Sequence, residues 1–400
     1  MTQKIPTLDS FDFADKTVLL RVDFNVPMGP HNTVADNSRI KAVLPTIQEL
    51  LAKHAKIIIL SHLGRPEGKP DPTLSLRPVF EEFKKLLPGK IALHFCPETV
   101  GPQVEKLSHT LKVQEILFLE NIRFHPEEES NDPKFAKTLA QLGDIYVNDA
   151  FSVSHRPHAS VEALPRLLPH CAGRLFEKEV HVLESLLTHP KRPVMAILGG
   201  AKVSTKLKLI ENLIDKMDVI ALGGGMANTF LLAQKQPIGK SLAEPALVPE
   251  CLRILEKAHK KGCTLILPTD VVIAPATDGK EHTTVSVGHV SENQMILDLG
   301  PKTIQVINDA IDTAQTLVWN GPVGLAEIHP FDRGTKALAQ HIVQRTETHH
   351  LMSVGGGGDT ASILEHLHLL EKFTYVSMAG GAFLEWMEGK TLPGVAALMK

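Results

Sequence analysis

The sequence predicts an α/β protein of two Rossmann-like lobes, each a parallel sheet flanked by helices, joined by a hinge helix. Three observations predict it. The chain has 400 residues, more than the ~250–300 at which a single core usually divides. Short apolar runs rich in branched residues alternate with stretches of helical periodicity, the order that builds parallel α/β sheets. The residue type just after each apolar run also changes halfway along, from arginine to glycine. The change falls near 171–190, where Pro190 and Pro193 close a helical stretch. Lobes over 1–172 and 191–387 are therefore expected, with 173–190 as the connecting helix.

Composition narrows the function classes. A hydrophobic content of 43% with 22% charged residues describes a soluble globular protein. The net charge of -3 and the 5% of aromatic residues disfavour nucleic acid and anionic membranes as partners. The opening stretch MTQKIPTLDSFDF has no apolar core, so no secretory leader is expected. No run reaches the ~18 apolar residues of a membrane span. Cys96, Cys171, Cys251 and Cys263 show no CxxC spacing. They read as inert thiols in a reducing cytoplasm. The pairs Glu281–His282 and His349–His350 do not form a metal-ligand pattern.

In the first half, TVLL (Thr17–Leu20), KIIIL (Lys56–Leu60), ILFL (Ile116–Leu119) and DIYV (Asp144–Val147) read as strands. Asp36, Asn37 and Ser38 can cap a helix whose face is Ile40, Val43, Leu44, Ile47 and Leu51. Arg21, Arg65, Arg123 and Arg156 each come after a different strand. Loops beyond the carboxyl ends of such strands gather on one edge, where ligands bind. Four guanidiniums would converge there, with Arg39 added from a helix start, and so many like charges demand an anion. Scattered surface arginines in ion pairs are the alternative. Asp23 and Asn25 could hold a hydroxyl, or simply form the turn before Pro27. His62 lies among these basic residues, although a lone histidine is commonly structural. Glu127–Glu129 reads as a solvated helix start.

In the second half the runs VMAIL, DVIAL, TLVW, LMSV and TYVS lead into GGAKVSTK, GGGMANTF, NGPVGLAE, GGGGDTAS and MAGGAF. No arginine occurs between Arg192 and Arg253. Backbone N–H groups in glycine turns, with a few lysines, suit nucleotide phosphates. The stretch Leu351–Leu370 shows the pattern most fully. It has a strand over Leu351–Val354, glycines 355–358, Asp359 and Thr360 as candidate caps, and a helix with Ile363, Leu364, Leu367 and Leu370 on one face. A tight connection is the bland alternative. Lys202 and Lys206, four apart, would share one face of a helix start, or be a surface pair. Asp359 is the best-placed carboxylate for Mg²⁺, with capping as its other role. Gly239–Lys240–Ser241 imitates a P-loop, but Gln234 stands where its first glycine belongs and Pro237 lies inside.

Ten collinear segments are more specific than any one of these readings. They are RVDFNVP, DNSRI, SHLGRP, ENIRFHPEEE, VNDAFSVSHRPHASV, GGAKVSTK, GGGMANTF, WNGPVG, GGGGDT and EGKTLPGV. By them the chain resembles the phosphoglycerate kinase family over nearly its whole length. The resemblance implies a monomeric, cytoplasmic, glycolytic enzyme that bends about its hinge. Its reaction moves a phosphoryl group between 1,3-bisphosphoglycerate and MgADP, giving 3-phosphoglycerate and MgATP. It implies a phosphoglycerate site of Asp23, Phe24, Asn25, Arg39, His62, Leu63, Gly64, Arg65, Arg123 and Arg156. His62, Arg65, Arg123 and Arg156 would take the 3-phosphate, Asp23 and Asn25 the 2-hydroxyl side, and Arg39 the reacting acyl-phosphate end. Catalysis is implied for Arg39, Lys202, Gly358 and Gly381. Nucleotide contacts are implied for Lys206, Gly223, Gly224, Pro322, Glu327, Gly357, Gly358, Asp359 and Thr360. Of these, Glu327 would meet the ribose and Asp359 the Mg²⁺. The tail from about 388 would pack on the first lobe.

One segment departs from the family pattern. After Ser377 the family has threonine and three glycines, whereas this chain has Met378, Ala379, Gly380 and Gly381. The departure bears on rate and closure, not on reaction type. A kinase of another phospho-acid and a nucleotide binder without turnover are the competing readings.

Overall fold

The computed structural model describes residues 5–188 and 190–399. The first four positions, position 189 of the expected connecting helix and position 400 of the expected tail lie outside the described residues. The chain forms two compact units. One comprises the chain up to His181 and from Thr391 onward, the other Val182–Lys390.

The first unit is built on six parallel strands: β1 (Thr17–Arg21), β2 (Lys56–Leu60), β3 (Leu93–Cys96), β4 (Ile116–Leu119), β5 (Ile145–Asn148) and β6 (His170–Ala172). Their order is β3-β4-β2-β1-β5-β6. Runs such as KIIIL and ILFL are buried along nearly their whole length, as strands covered on both faces must be. Val18 pairs with Ile57 on one side and Ile145 on the other. The chain therefore leaves β1 in one direction and returns on its other flank at β5. That reversal opens a crevice beyond the carboxyl ends of β1, β2 and β5. The short edge strands β3 and β6 have no clear apolar run and were not expected.

An aromatic cluster anchors this edge. Phe24 stacks on Phe118 with ring centroids 5.9 Å apart, and Phe80 meets Phe118 edge-on at 5.7 Å. The helix Arg77–Leu86 supplies Val79, Phe80 and Phe83 from one face. Fully burying a side chain like Phe83 contributes roughly 1.5–3 kcal/mol. The helix Ser38–Ala52 buries Ile40, Val43, Ile47, Leu50 and Leu51, close to the expected face. Its cap differs from the expected one: Asn37 makes no side-chain cap bond. Instead Asp36 accepts from the Ser38 N–H and hydroxyl at 2.8 and 2.7 Å.

The second unit carries β7 (Val194–Leu198), β8 (Val219–Leu222), β9 (Thr264–Ile266), β10 (Asp270–Ala274), β11 (Thr283–Ser286), β12 (Met295–Leu299), β13 (Thr316–Asn320), β14 (Met352–Gly356) and β15 (Tyr375–Ser377). Six of them form a parallel sheet in the order β15-β14-β13-β7-β8-β9. Here the direction reverses between β7 and β13. The loops after those strands come so close that a Cβ on Gly199 would lie 1.9 Å from the Pro322 carbonyl oxygen.

The remaining strands form an antiparallel sheet, β11-β10-β12, with its own small core of Val271, Ile273 and Val290. Only parallel sheets were expected. The exposed run TTVS of β11 has too little apolar content to announce a strand.

The helix Arg174–Thr188 comes directly after β6. Near the C-terminus, the helix Pro393–Leu398 packs on the first unit, where the Gly394 N–H donates to the Ser154 carbonyl at 2.9 Å. A Cβ at Gly394 would fall 2.8 Å from Ser154 Oγ and from Val161 Cγ1.

Candidate functional site

In the first unit the loop after β1 turns sharply because Asp23 bonds its own neighbourhood. The Asn25 N–H donates to Asp23 Oδ1 at 3.1 Å. Asn25 Oδ1 then accepts the Gly64 N–H at 2.8 Å, tying this loop to the one after β2. Gly64 has φ +61, and a Cβ there would meet Leu74 at 2.7 Å. Arg39, from the first turn of its helix, donates to Asp23. Arg123 is almost fully buried and donates to the Gly64 carbonyl at 2.8 Å. Its Nε lies 3.5 Å from Glu129. Arg156 is half-buried beside His155, at 3.3 Å, and Arg65 is exposed. Phe24 and Leu63 are buried apolar groups, so only their backbone can face a ligand. Asp23, Asn25, Arg39, Gly64 and Arg123 are thus joined by hydrogen bonds, and His62 Nε2 lies 3.9 Å from Asp23 Oδ1.

Electrostatics show how strained this cluster is. Burial first, then the like charges of Arg21 and Arg156, push the Arg123 guanidinium down to about 10. Burial, with Arg21, Arg123 and Arg39 around it, holds His62 well below the usual imidazole range. Burial, with Arg123, Arg21 and Arg156 nearby, pushes His158 down to about 3. An excess of positive charge that depresses its own members is relieved by an anion.

Two expectations are corrected here. Arg21 does not join the converging arginines, because it is fully buried beneath them and donates to Ser160 at 2.8 Å. Glu128, expected in solvent, is also fully buried, and burial raises its carboxyl above the ordinary range. It belongs to the same buried network as Arg21. No local pattern marks either residue, since each is defined by partners far along the chain.

In the second unit a cavity of about 350 Å³ is lined by Gly224, Pro322, Glu327 and Asp359, all expected, and by Asn228 and Leu242, which were not. Gly223 has no room for a side chain, as its Cβ would meet Val323 at 2.5 Å. The glycine stretch after β14 is knitted to the loop after β13. Asn320 Nδ2 donates to the Gly356 carbonyl at 2.6 Å, and the Gly321 N–H donates to Thr360 Oγ1 at 2.8 Å. Gly357 has φ +94, with Asn320 2.7 Å from where its Cβ would be. Gly358 faces open space at the start of the helix Gly358–His366. The expected side-chain cap is absent: Gly357 holds the cap position, Asp359 sits exposed in the first turn, and Thr360 serves Gly321 instead.

Lys202 and Lys206 do not share a helix face. Lys202 is extended and exposed before a single 3-10 turn, whereas Lys206 precedes the helix Leu207–Ile214. Burial pushes Lys206 down to about 8, and the nearby Asp359 carboxylate opposes that shift. Gly381 starts the helix Gly381–Met387 after Gly380, whose φ is +52. In the departing segment, Met378 packs on the second unit's core and Ala379 is buried. The P-loop imitation is structural. Lys240 and Ser241 bond the Gln294 carbonyl and the Ile296 N–H at 2.9 and 2.8 Å.

A nucleotide-bound Mg²⁺ keeps several waters and needs only one or two protein carboxylates beside phosphate oxygens. The exposed Asp359 carboxylate, next to glycines open to a phosphate, fits that requirement.

Comparisons with known proteins agree with this geometry. The phosphoglycerate kinase family profile matches residues 8–390. Phosphoglycerate kinase of Bradyrhizobium diazoefficiens is 51% identical over 400 residues, covering 100% of this chain and 99% of the relative. That of Cereibacter sphaeroides is 50% identical over 393 residues, covering 98% of each. The structure of phosphoglycerate kinase from Coxiella burnetii superposes with a TM-score of 0.90 at 39% identity, covering 99% of both chains. That from Pyrococcus horikoshii gives 0.83 at 30% identity, covering 98% of both. A full-length match at half identity, on the same α/β fold, means that the chain belongs to the phosphoglycerate kinase family, the glycolytic kinases of that name.

Proposed function

We propose that this kinase moves a phosphoryl group reversibly between 1,3-bisphosphoglycerate and MgADP, giving 3-phosphoglycerate and MgATP. The observation that carries the reading is the division of labour: an over-charged cationic cluster in the first unit, and a glycine-lined cavity with the exposed carboxylates of Glu327 and Asp359 in the second. His62, Arg65, Arg123 and Arg156 bind the 3-phosphate, and Asp23 and Asn25 orient the 2-hydroxyl. Lys206, Gly223, Gly224, Pro322, Glu327, Gly357, Gly358, Asp359 and Thr360 hold the nucleotide.

The attacking atom is an ADP phosphate oxygen in one direction and a carboxylate oxygen in the other. Both are ionised near pH 7, so no general base is required. Positioning and charge stabilisation then supply the catalysis. Arg39 and Lys202 neutralise charge on the transferring group, and N–H donors near Gly358 and Gly381 add to it. Asp359 would hold a nucleotide-bound Mg²⁺, which would supply neutralisation of phosphate charge.

Closure of the two units about the helix Arg174–Thr188 excludes the water that would hydrolyse an acyl phosphate. The reading includes a monomer in the cytoplasm. Four buried, unpaired cysteines suit a reducing compartment, and no described helix is long and apolar enough to cross a membrane. Calorimetric titration of Arg156→Ala tests the division of labour. The expected result is weakened 3-phosphoglycerate binding with ATP affinity intact. Weakened ATP binding would overturn the assignment of ligands to units.

A further inference from the structure

Beneath the first unit's cationic cluster lies a line of buried polar groups that phosphoryl transfer does not itself require. Arg21 and Glu128 are both fully buried. Ser160 joins them. It accepts from Arg21 Nε at 2.8 Å, and donates its own N–H and hydroxyl to the Glu128 carboxylate at 2.8 and 2.6 Å. The Tyr146 hydroxyl donates to the Ser160 carbonyl at 2.7 Å and fixes that residue in turn. One Arg21 amino group donates to the Val22 carbonyl. The other lies 3.3 Å from His62 Nδ1.

A guanidinium has donors only, so Nδ1 of His62 must accept. In a neutral imidazole the proton then sits on Nε2. That nitrogen faces Asp23 Oδ1 at 3.9 Å. Asp23 also receives Arg39 and the Ser152 hydroxyl. The Nε2–H therefore points toward the Asp23 carboxylate, at a separation too long for a hydrogen bond but close enough for electrostatic contact. A protonated His62 would set a donor against a donor, and the burial and positive charges around the ring disfavour it.

We propose that Arg21, held by Glu128 through Ser160, fixes His62 as its Nε2–H tautomer and so sets the donor that faces the Asp23 carboxylate on which Arg39 rests. Arg21 and Glu128 are positioning residues, and neither reaches the transferring group. The consequence for Arg39 rests on the reaction proposed above, whereas the tautomer itself does not. His62 accordingly faces the site as a neutral donor among cations. Repulsion from Arg123 and Arg39 is avoided while a donor is kept.

Long-range ¹H–¹⁵N spectra of full-length protein labelled at histidine test this directly near pH 7. His62→Gln identifies the His62 signals. The expected spectrum shows an unprotonated Nδ1 and a protonated Nε2. A protonated Nδ1, alone or in an imidazolium, would overturn the proposal. Arg21→Lys keeps a positive charge over Glu128 but replaces the fork by one nitrogen, which cannot serve Ser160 and His62 in the same geometry. It should mix the tautomers and lower kcat about tenfold through misplacement of Arg39, with ATP affinity unchanged. An unaltered His62 spectrum with unaltered kcat would contradict the positioning role. Should Arg21→Lys not fold, the wild-type spectrum still decides the tautomer. Absence of turnover in the wild-type protein would instead strike the proposed reaction and leave the tautomer standing.

Discussion

Lys206 is the second unit's most informative titrating group, because its position sets two opposing demands. Burial pushes it down to about 8 while Asp359 holds it up. A bound phosphate adds negative charge and raises it further. Free protein therefore loses the Lys206 proton as pH rises through about 8, and under the proposed phosphate contact the nucleotide complex would keep it. ATP binding should take up a proton above pH 8 and weaken as pH climbs toward 10. Calorimetry in buffers of different ionisation heat reads the uptake, and Lys206→Met should abolish it. No uptake by the wild-type protein would separate Lys206 from the phosphates.

At the scale of elements, the helix Arg174–Thr188 begins over a buried carboxylate. Asp149 accepts the Phe176 N–H at 3.0 Å, and a Cβ on Gly173 would strike it at 2.4 Å. Burial pushes Asp149 up to about 7 from an ordinary value near 3.8. The folded state thus binds a proton more tightly than the unfolded chain. Its contribution to stability is complete below about pH 4 and is lost as pH rises through 7, up to roughly 4 kcal/mol. Asp298, also pushed up to about 7 by burial, acts in the same direction. Asp149→Asn should remove part of this slope. The gap in denaturation midpoint between variant and wild type would then change between pH 4.5 and 7.5. A constant gap would show that Asp149 stays ionised in the fold.

The elements also show what was legible in the sequence. KIIIL, ILFL and VMAIL announce buried parallel strands because both faces need apolar cover. The glycines after β7, β8, β13 and β14 are the pattern behind the proposed backbone phosphate site; Gly199, Gly223 and Gly321 have no room for a side chain, whereas Gly358 stands open. The antiparallel sheet β11-β10-β12 was not legible, since its pairing, not its periodicity, defines it. The burial of Glu128 and Arg21 was hidden for the same reason. Their partners Ser160 and His62 lie 32 and 41 residues away. The pair Lys202 and Lys206 misled because a 3-10 turn intervenes where a helix was assumed.

For the whole molecule, the proposed reaction, with one substrate on each unit, calls for closure to protect an acyl phosphate from water. Small-angle scattering should show compaction only when 3-phosphoglycerate and MgATP are both present. Equal dimensions under all conditions would count against closure. Met378 and Ala379 stand where the family has threonine and glycine, in the segment expected to take part in that motion, so turnover itself is the sharper test. The first measurement is phosphoryl transfer from MgATP to 3-phosphoglycerate, with a dehydrogenase drawing off the acyl phosphate and NADH oxidation monitored. Robust turnover is expected, lowered on the order of a hundredfold in kcat by Arg39→Ala with ATP affinity intact. A folded, ATP-binding protein that transfers nothing would contradict the proposed reaction and leave a nucleotide binder whose altered segment has cost it that chemistry.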